Sequence, residues 1–437
     1  MLHALKKFIP QSWLDVYHYI LSYTAAMYYG NPSRELIVIG VTGTNGKTTT
    51  TYMIAKALES DTVKTGCTST AIFKVGDKEW LNDKKMTMLG RFQSQKLLRD
   101  MVAAGCKYAV IETSSQGILQ HRHKNIVYDI CVFTNLTPEH IEAHGGFNNY
   151  KQAKIELFRH TASLPSKTID GQVAPRAAIL NSDDEHAADF AISDFPKIIW
   201  YGTGERAQIR ATDIAETAQG LTFKVAEQNY KLNLLGRVNV CNALAAAAAA
   251  SGCGITVAEA LNRLSNLKSI PGRFELIDAG QNFTVLVDYA PEPESVQRLY
   301  EAIRPLNSKR IIHVLGSCGG GRDVARRPVL GRLAAQNAAI VIITNEDPYD
   351  DDPKLIIDQV AEGAVSAGKI DGQNLFRIMD RREAVSKAIS LAQAGDLVLL
   401  TGKGSEQAIC VAGGHKIPWD EREEARKAIK RHIAQSS

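Results

Sequence analysis

Nine residues, Val41-Thr42-Gly43-Thr44-Asn45-Gly46-Lys47-Thr48-Thr49, combine glycines, an ammonium and hydroxyls at a spacing suited to holding phosphate. Backbone N–H groups of such a turn converge on an anion. The positive end of the following helix favours negative charge, and the lysine reaches the outer phosphates. Thr48 is placed to hold Mg²⁺ through its hydroxyl, so the run reads as a nucleoside triphosphate site. Glu112, in Glu112-Thr113-Ser114-Ser115, and His140, closing Phe133-Thr134-Asn135-Leu136-Thr137-Pro138-Glu139-His140, each fall just past an apolar run. Mg²⁺ prefers oxygen ligands and tolerates one imidazole. Their shared position at strand ends beside the phosphate loop makes both candidate metal ligands.

These groups need a sheet to hold them. Leu36-Ile37-Val38-Ile39 enters the loop as a buried strand, and Tyr52-Met53-Ile54-Ala55-Lys56-Ala57-Leu58 leaves it as a helix. Short β-rich runs at 108–111, 130–133 and 177–180 alternate with helical stretches up to about residue 268, the pattern of a mostly parallel sheet covered by helices. Ligands in such sheets gather at the carboxyl ends of strands. An Ala-rich helix follows at 243–250, and Pro271-Gly272 marks a boundary. Beyond it a second series, 285–287, 311–315, 340–343 and 397–400, has crossovers of helical length. The expected fold is α/β. A central P-loop ATPase domain (34–270) with a mostly parallel sheet precedes a C-terminal doubly wound α/β domain (271–437), and an aromatic-rich helical segment (1–33) comes first.

The 437 residues suit about three domains at ~150 residues each. A net charge of +4, with no dense basic block, gives no reason to expect a nucleic-acid partner. Seven scattered cysteines without a Cys-x-x-Cys pair suit buried thiols in a reducing cytoplasm and speak against a zinc ribbon or disulfide frame. Residues 13–29 are rich in Trp and Tyr, with Lys6 and Lys7 ahead of them. They are too short and polar to span a membrane, which leaves a helix packed on the core, ranked first, or peripheral membrane contact through residues 6–29.

At this point the motifs form a set. TGTNGKTT (42–49), ETSSQGILQHR (112–122), FTNLTPEHIEAHG (133–145) and YKQAKIELF (150–158) together resemble the Mur ligases, and within them the synthetases that add the third amino acid to UDP-N-acetylmuramoyl dipeptide. LLGRVNVCNALAAA (234–247), PGRFE (271–275), VDYAPEP (287–293), GGGRDVARRP (319–328) and LTGKGSE (400–406) continue the likeness in family order over nearly the whole chain. The resemblance implies a cytoplasmic, ATP-dependent amide ligase of peptidoglycan biosynthesis that acts on a muramoyl-peptide precursor and a free amino acid through an acyl phosphate. By the same likeness Gly43, Thr44, Asn45, Gly46, Lys47, Thr48 and Thr49 would hold the triphosphate, with Asn239 and Asn242 on the adenine side. Arg273 and Asp288 match hinge and ribose positions. Thr48, Glu112, His140 and Lys154 would gather two Mg²⁺ ions, Lys154 as a CO₂-derived carbamate, and with Lys47 the last three would be catalytic. Thr87, Ser114 and Arg122 fall on the acceptor side, and Glu346, Asp347, Tyr349, Gly402 and Glu406 on the amino-acid side.

Four departures bear on the substrate. Only about 35 residues precede the first strand, where three-domain relatives carry a UDP-binding domain, which opens the way to a lipid-linked acceptor. Met86-Thr87-Met88 stands for Thr-Thr-Pro, and Glu346-Asp347-Pro348-Tyr349 for Asp-Asn-Pro-Arg, losing a bidentate carboxylate clamp. The acidic run Asp350-Asp351-Asp352 could draw in a cationic amine, or be a solvated loop. Pro291 and Ser405 each replace a histidine of the family pattern. Two alternatives follow: an amidating subunit working with a glutaminase, whose group carries a four-cysteine zinc insertion lacking here, and a non-catalytic nucleotide-binding scaffold at the membrane. The folylpolyglutamate synthetases share the phosphate loop but not the ETSS…HR segment.

Overall fold

The computed structural model describes residues 11–138 and 144–436. Strand β1 (Ile37–Thr42) is buried along its whole length because helices cover both of its faces. Ile37, Ile39 and Val41 face one core while Leu36 and Val38 face the other, so the strand reads as a continuous apolar run instead of an alternation. β2 (Lys64–Thr68), β3 (Ile72–Val75), β4 (Lys78–Leu81), β5 (Cys106–Glu112), β6 (Ile130–Phe133), β7 (Ala177–Asn181), β8 (Ile198–Gly202), β9 (Ile209–Thr217), β10 (Gly220–Val225) and β11 (Gln228–Leu232) complete the sheet. Its order is β11-β10-β9-β8-β7-β6-β1-β5-β2-β3-β4. β1 pairs in parallel with β5 on one side and β6 on the other. Antiparallel strands extend both edges.

Helix α1 (Gln11–Tyr28) lies ahead of the sheet. α2 (Lys47–Leu58) shares one face of the sheet with the Ala-rich helix; α3 (Arg91–Ala103) and α5 (Phe147–Ser163) share the other, with the one-turn α4 (Ser115–Leu119) between them in sequence. In α6 (Val238–Gly252) every side chain from Ala243 to Ala250 is fully buried, and these small groups let α2 pack closely against it. After α7 (Val257–Ser265) the chain builds a second sheet from β12 (Glu275–Leu276), β13 (Thr284–Val287), β14 (Ile311–Leu315), β15 (Ile340–Thr344), β16 (Leu375–Ile378) and β17 (Leu397–Leu400), in the order β12-β13-β17-β14-β15-β16. Only β12 is antiparallel. α8 (Pro293–Ile303), α9 (Arg326–Asn337) and α10 (Pro353–Ser366) cover one face, and α11 (Arg381–Leu391) and α12 (Glu421–Ser436) the other. This is the doubly wound arrangement.

α1 both packs and projects. Ser22, Ala25 and Ala26 are buried, and Arg99 Nε donates to the Tyr29 carbonyl at 2.9 Å. Its outer side leaves Trp13 73% and Tyr28 75% exposed, with Val16, Tyr17, Ile20, Tyr23 and Met27 between them. No described helix is long and apolar enough to cross a membrane, and all seven cysteines are free thiols.

One buried group makes stability depend on pH. His123 is fully buried, neither ring nitrogen has a hydrogen-bond partner, and the His160 ring stands 5.1 Å away, edge-on. Burial, aided by His160, Lys124 and His121, holds its pKa well below the ordinary imidazole value. The folded chain therefore keeps this ring neutral, while the unfolded chain protonates it below about pH 6.5. Its contribution is full above the unfolded value and falls as pH drops below it. Urea melts of His123→Leu at pH 7 and pH 5 are expected to show less acid destabilisation than the parent; an equal loss in both would refute the assignment.

Candidate active site

The register sets the site. Val41 of β1 lies beside Glu112 of β5, and Thr42 beside Phe133 of β6, so three carboxyl ends emerge together. β1 is where the strand order reverses, and the crevice at such a point takes ligands. The phosphate loop is braced from β6: Thr44 N–H donates to the Asn135 carbonyl at 2.8 Å and Asn45 N–H to Asn135 Oδ1 at 2.9 Å. Gly43 and Gly46 are required by space. A Cβ on Gly43 would come 1.9 Å from Thr134 Oγ1, and one on Gly46, whose φ is +79°, would come 2.6 Å from Asn242 Oδ1. Lys47 Nζ donates to the Thr44 carbonyl at 2.7 Å, folding its ammonium over the loop.

Glu112 is 1% exposed and ringed by donors. Thr48 Oγ1 donates to Oε2 at 2.9 Å and Thr70 N–H to the same oxygen at 2.7 Å; Thr70 Oγ1 stands 3.0 Å from Oε1. A hydroxyl and a carboxylate held together at a phosphate cradle are the oxygen donors that Mg²⁺ takes alongside phosphates and waters. His140 lies outside the described residues. Among those described, no three His, Cys, Asp or Glu side chains gather as a metal cluster.

Lys154, on α5, is 1% exposed. Its Nζ donates to the Gly43 carbonyl at 2.6 Å and lies 4.3 Å from the centre of the Tyr150 ring, whose hydroxyl is 3.1 Å from Thr44 Oγ1. A carbamate keeps one N–H, so the bond to Gly43 survives that modification while two oxygens are added. The donor set therefore fits the group.

Toward the second sheet, Asn242 Oδ1 accepts from Thr50 Oγ1 at 3.1 Å and its amide donates to Asn239 at 2.9 Å. Arg273 stacks 4.7 Å from the Tyr289 ring and reaches Thr48 Oγ1 at 3.4 Å. Asp288, past the end of β13, accepts the Phe274 and Ala290 N–H groups at 2.8 and 2.9 Å. Burial raises its pKa against the pull of Arg273.

A cleft of about 1240 Å³ opens between the carboxyl ends of the two sheets. Thr44 through Thr49, Glu112 and Lys154 line one wall; Arg273, Asp288 and Tyr349 line the other, with Asn239 and Asn242 between. Thr87 and Ser114 also face it, the latter capping α4 by accepting the Gly117 N–H at 3.1 Å. Gly43 contributes its carbonyl from behind the loop.

The structure does not bring five expected contacts to the cleft wall. Arg122 donates to the Met88 carbonyl and to Gln120 at 2.6 Å, and burial, then Arg91, lowers its pKa. Glu346 is buried against Cys318 Sγ at 2.9 Å, with Gly402 packed on it so closely that a Cβ there would come 2.2 Å from Oε2. Asp347 and Glu406 are bound to lysines. The acidic run is structural: Asp350 accepts the Gly413 N–H at 2.8 Å, Asp351 faces Arg327 at 3.5 Å, and Asp352 caps α10. Its carboxylates are engaged by the chain itself, which removes the expectation that they draw in an amine.

Sequence reasoning missed Thr70, Tyr150 and Arg326. Arg326 is 6% exposed at the cleft, with one nitrogen on Glu292 and two, Nε and Nη2, lacking a partner. Tyr150 and Arg326 sat within motifs already noted, but Thr70 carries no local signal.

The Mur ligase middle domain family matches residues 41–250, and the Mur ligase glutamate ligase domain matches 272–404. A UDP-N-acetylmuramyl-tripeptide synthetase of Roseiflexus sp. (strain RS-1) is 40% identical over 417 residues, covering 93% of this chain and 81% of that protein. A UDP-N-acetylmuramoyl-L-alanyl-D-glutamate–2,6-diaminopimelate ligase of Geobacillus thermodenitrificans (strain NG80-2) is 37% identical over 412 residues, with the same coverage. A solved structure of a ligase of that second name superposes with a TM-score of 0.60 at 31% identity, covering 92% of this chain and 79% of the other.

Proposed function

The chain belongs to the Mur ligase family, whose members are ATP-dependent acid–amino-acid ligases, and we propose that it joins an amino acid to a muramoyl-peptide precursor in the cytoplasm through an acyl phosphate. The observation that carries this reading is the single cleft in which Lys47, Glu112 and Lys154 face the carboxyl ends of the second sheet. A carboxylate is a poor electrophile. Its oxygen attacks the γ-phosphorus of ATP, the bond to ADP breaks, and an acyl phosphate forms. The amine nitrogen then adds to the acyl carbon; the tetrahedral adduct loses phosphate and the nitrogen its proton, leaving the amide.

Each residue has a task in this sequence. The loop N–H groups cradle the triphosphate, and Lys47 swings from the Thr44 carbonyl to offset charge on the transferring phosphoryl group. By the family likeness Asn239 and Asn242 would meet the base, and Asp288 with Arg273 the ribose. Thr48 and Glu112, with His140 and a carbamylated Lys154, would hold Mg²⁺, which supplies Lewis-acid stabilisation of phosphoryl charge. Thr87 and Ser114, which line the cleft, would meet the acceptor, and Tyr349 the amine. Approach of the two sheets keeps water from the acyl phosphate.

Phosphate release from ATP, screened over amino acids against UDP-linked, lipid-linked and free muramoyl dipeptides, tests the reading. Release is expected only when acceptor and amino acid are both present. No stimulation by any pair would reject it.

The exposed aromatic stripe of α1 favours a second, compatible proposal, peripheral contact with a bilayer surface, where Trp and Tyr are favoured. Flotation with anionic liposomes should carry the full chain and not a chain lacking residues 1–30. Equal recovery of the two would reject it.

A further inference from the structure

The loop that carries Thr87 is held from two directions. Asn82 shapes it: its amide donates to the Ser69 and Met86 carbonyls at 2.8 and 2.9 Å, and its Oδ1 accepts the Lys84 N–H at 2.8 Å. The turn so formed forces Lys85 into a left-handed backbone with φ of +53°. Such a conformation in a residue with a side chain is strained and persists only where its surroundings require it. Here it sends the lysine out of the first sheet's domain and into the second.

Lys85 Nζ lies 2.6 Å from Asp347 Oδ2 and 3.1 Å from Glu406 Oε2, and it donates to the Ala408 carbonyl at 3.0 Å. Lys403 meets the same two acids from within the second domain, at 3.0 Å to Asp347 and 2.7 Å to Glu406. Asp347 also accepts the Cys410 N–H at 2.7 Å. The Lys85 and Asp347 side chains are 5% and 4% exposed. Burial opposes the lysine's charge, but Glu406 and Asp347 outweigh it and hold its pKa above the ordinary value. Two ammoniums and two carboxylates thus close a neutral, buried set with one member from the other domain.

On the cleft side of the same loop, Thr87 Oγ1 is 3.0 Å from Thr70 Oγ1, which is 3.0 Å from Glu112. Four residues therefore connect the acids of the second domain to the carboxylate beside the phosphate loop. We propose that Lys85 is a positioning residue that locks the acceptor-side loop to the amine-side domain, so that Thr87, Thr70 and Glu112 are in place only when the two sheets have closed. The same arrangement leaves Asp347 and Glu406 no unpaired charge for a cationic side chain, so the added amino acid is not selected through an ammonium at those acids. This inference rests on the ligase reading for its kinetic arm alone.

The test compares the full chain with Lys85→Met and Lys85→Arg. In the first arm, amide hydrogen exchange is followed with Mg-ADP as the probe, over residues 85–89 and 403–410. Lys85→Met should exchange at least about tenfold faster in both segments, since local protection reports local opening. Lys85→Arg should stay near the parent. In the second arm, with whichever pair the phosphate-release screen finds active, kcat/KM for the acceptor should fall about 100-fold in Lys85→Met. KM for ATP should hold, and the arginine variant should regain most of the loss. If Lys85→Met does not fold, Lys85→Gln is read the same way. Unchanged exchange in the charge-removed variant overturns the proposal even where no ligase activity is found. Faster exchange with unchanged acceptor kinetics overturns the positioning role.

Discussion

Lys154→Ala is expected to lose turnover by about 10³-fold or more, the scale of removing a preorganised electrostatic group from a closed site. The side chain is buried, its Nζ points at the Gly43 carbonyl behind the phosphate loop, and Tyr150 flanks it. An ammonium at that place would repel a divalent cation; a carbamate would supply oxygens to one. Two readouts separate the carbamate from a structural lysine. Added formate or acetate should restore part of the activity of Lys154→Ala, because a small carboxylate can occupy the space and the charge. Protein equilibrated with carbon-13 bicarbonate should show a carbamate resonance that the variant lacks. Full activity in Lys154→Ala would remove the idea.

Glu112→Gln should cost about 10²–10³-fold in turnover and raise the half-saturating Mg²⁺ concentration about tenfold. The Thr48 hydroxyl, the Thr70 N–H and the Thr70 side chain converge on this carboxylate. An amide sets an NH₂ against at least one of those donors and removes the negative charge. A buried clash of donors costs about 1–3 kcal/mol, so melting curves should be recorded beside the kinetics. Unchanged magnesium dependence would take Glu112 out of the metal site.

Much of this architecture was legible because the central strands are buried on both faces. The runs at 130–133, 311–315 and 397–400 coincide with β6, β14 and β17, and that at 177–180 falls one residue short of β7. A continuous apolar run flanked by helices has few other fates. The antiparallel edges were not legible, since β9 alternates between buried and exposed positions and carries Arg210, Thr212 and Asp213 outward. The phosphate loop could be read because its chemistry is local, nine consecutive residues making one cradle. Asp347 and Glu406 were expected to meet substrate because, of the lysines that neutralise them, Lys403 alone lies near either in sequence, and the second, which completes their neutralisation, does not. Lys85 lies 262 residues from Asp347, and only the closing of one sheet upon the other brings them together. The acidic run stayed open between two readings for a related reason: partners as distant as Arg327 and Gly413 decide whether a carboxylate is free.

Isotope transfer from the acceptor tests the central claim most directly. With oxygen-18 in the acceptor carboxylate and the amino acid found active in the phosphate-release screen, attack on ATP moves one labelled oxygen into each phosphate released. The account predicts one labelled oxygen per phosphate, matched to amide formed. Amide produced with unlabelled phosphate would contradict it.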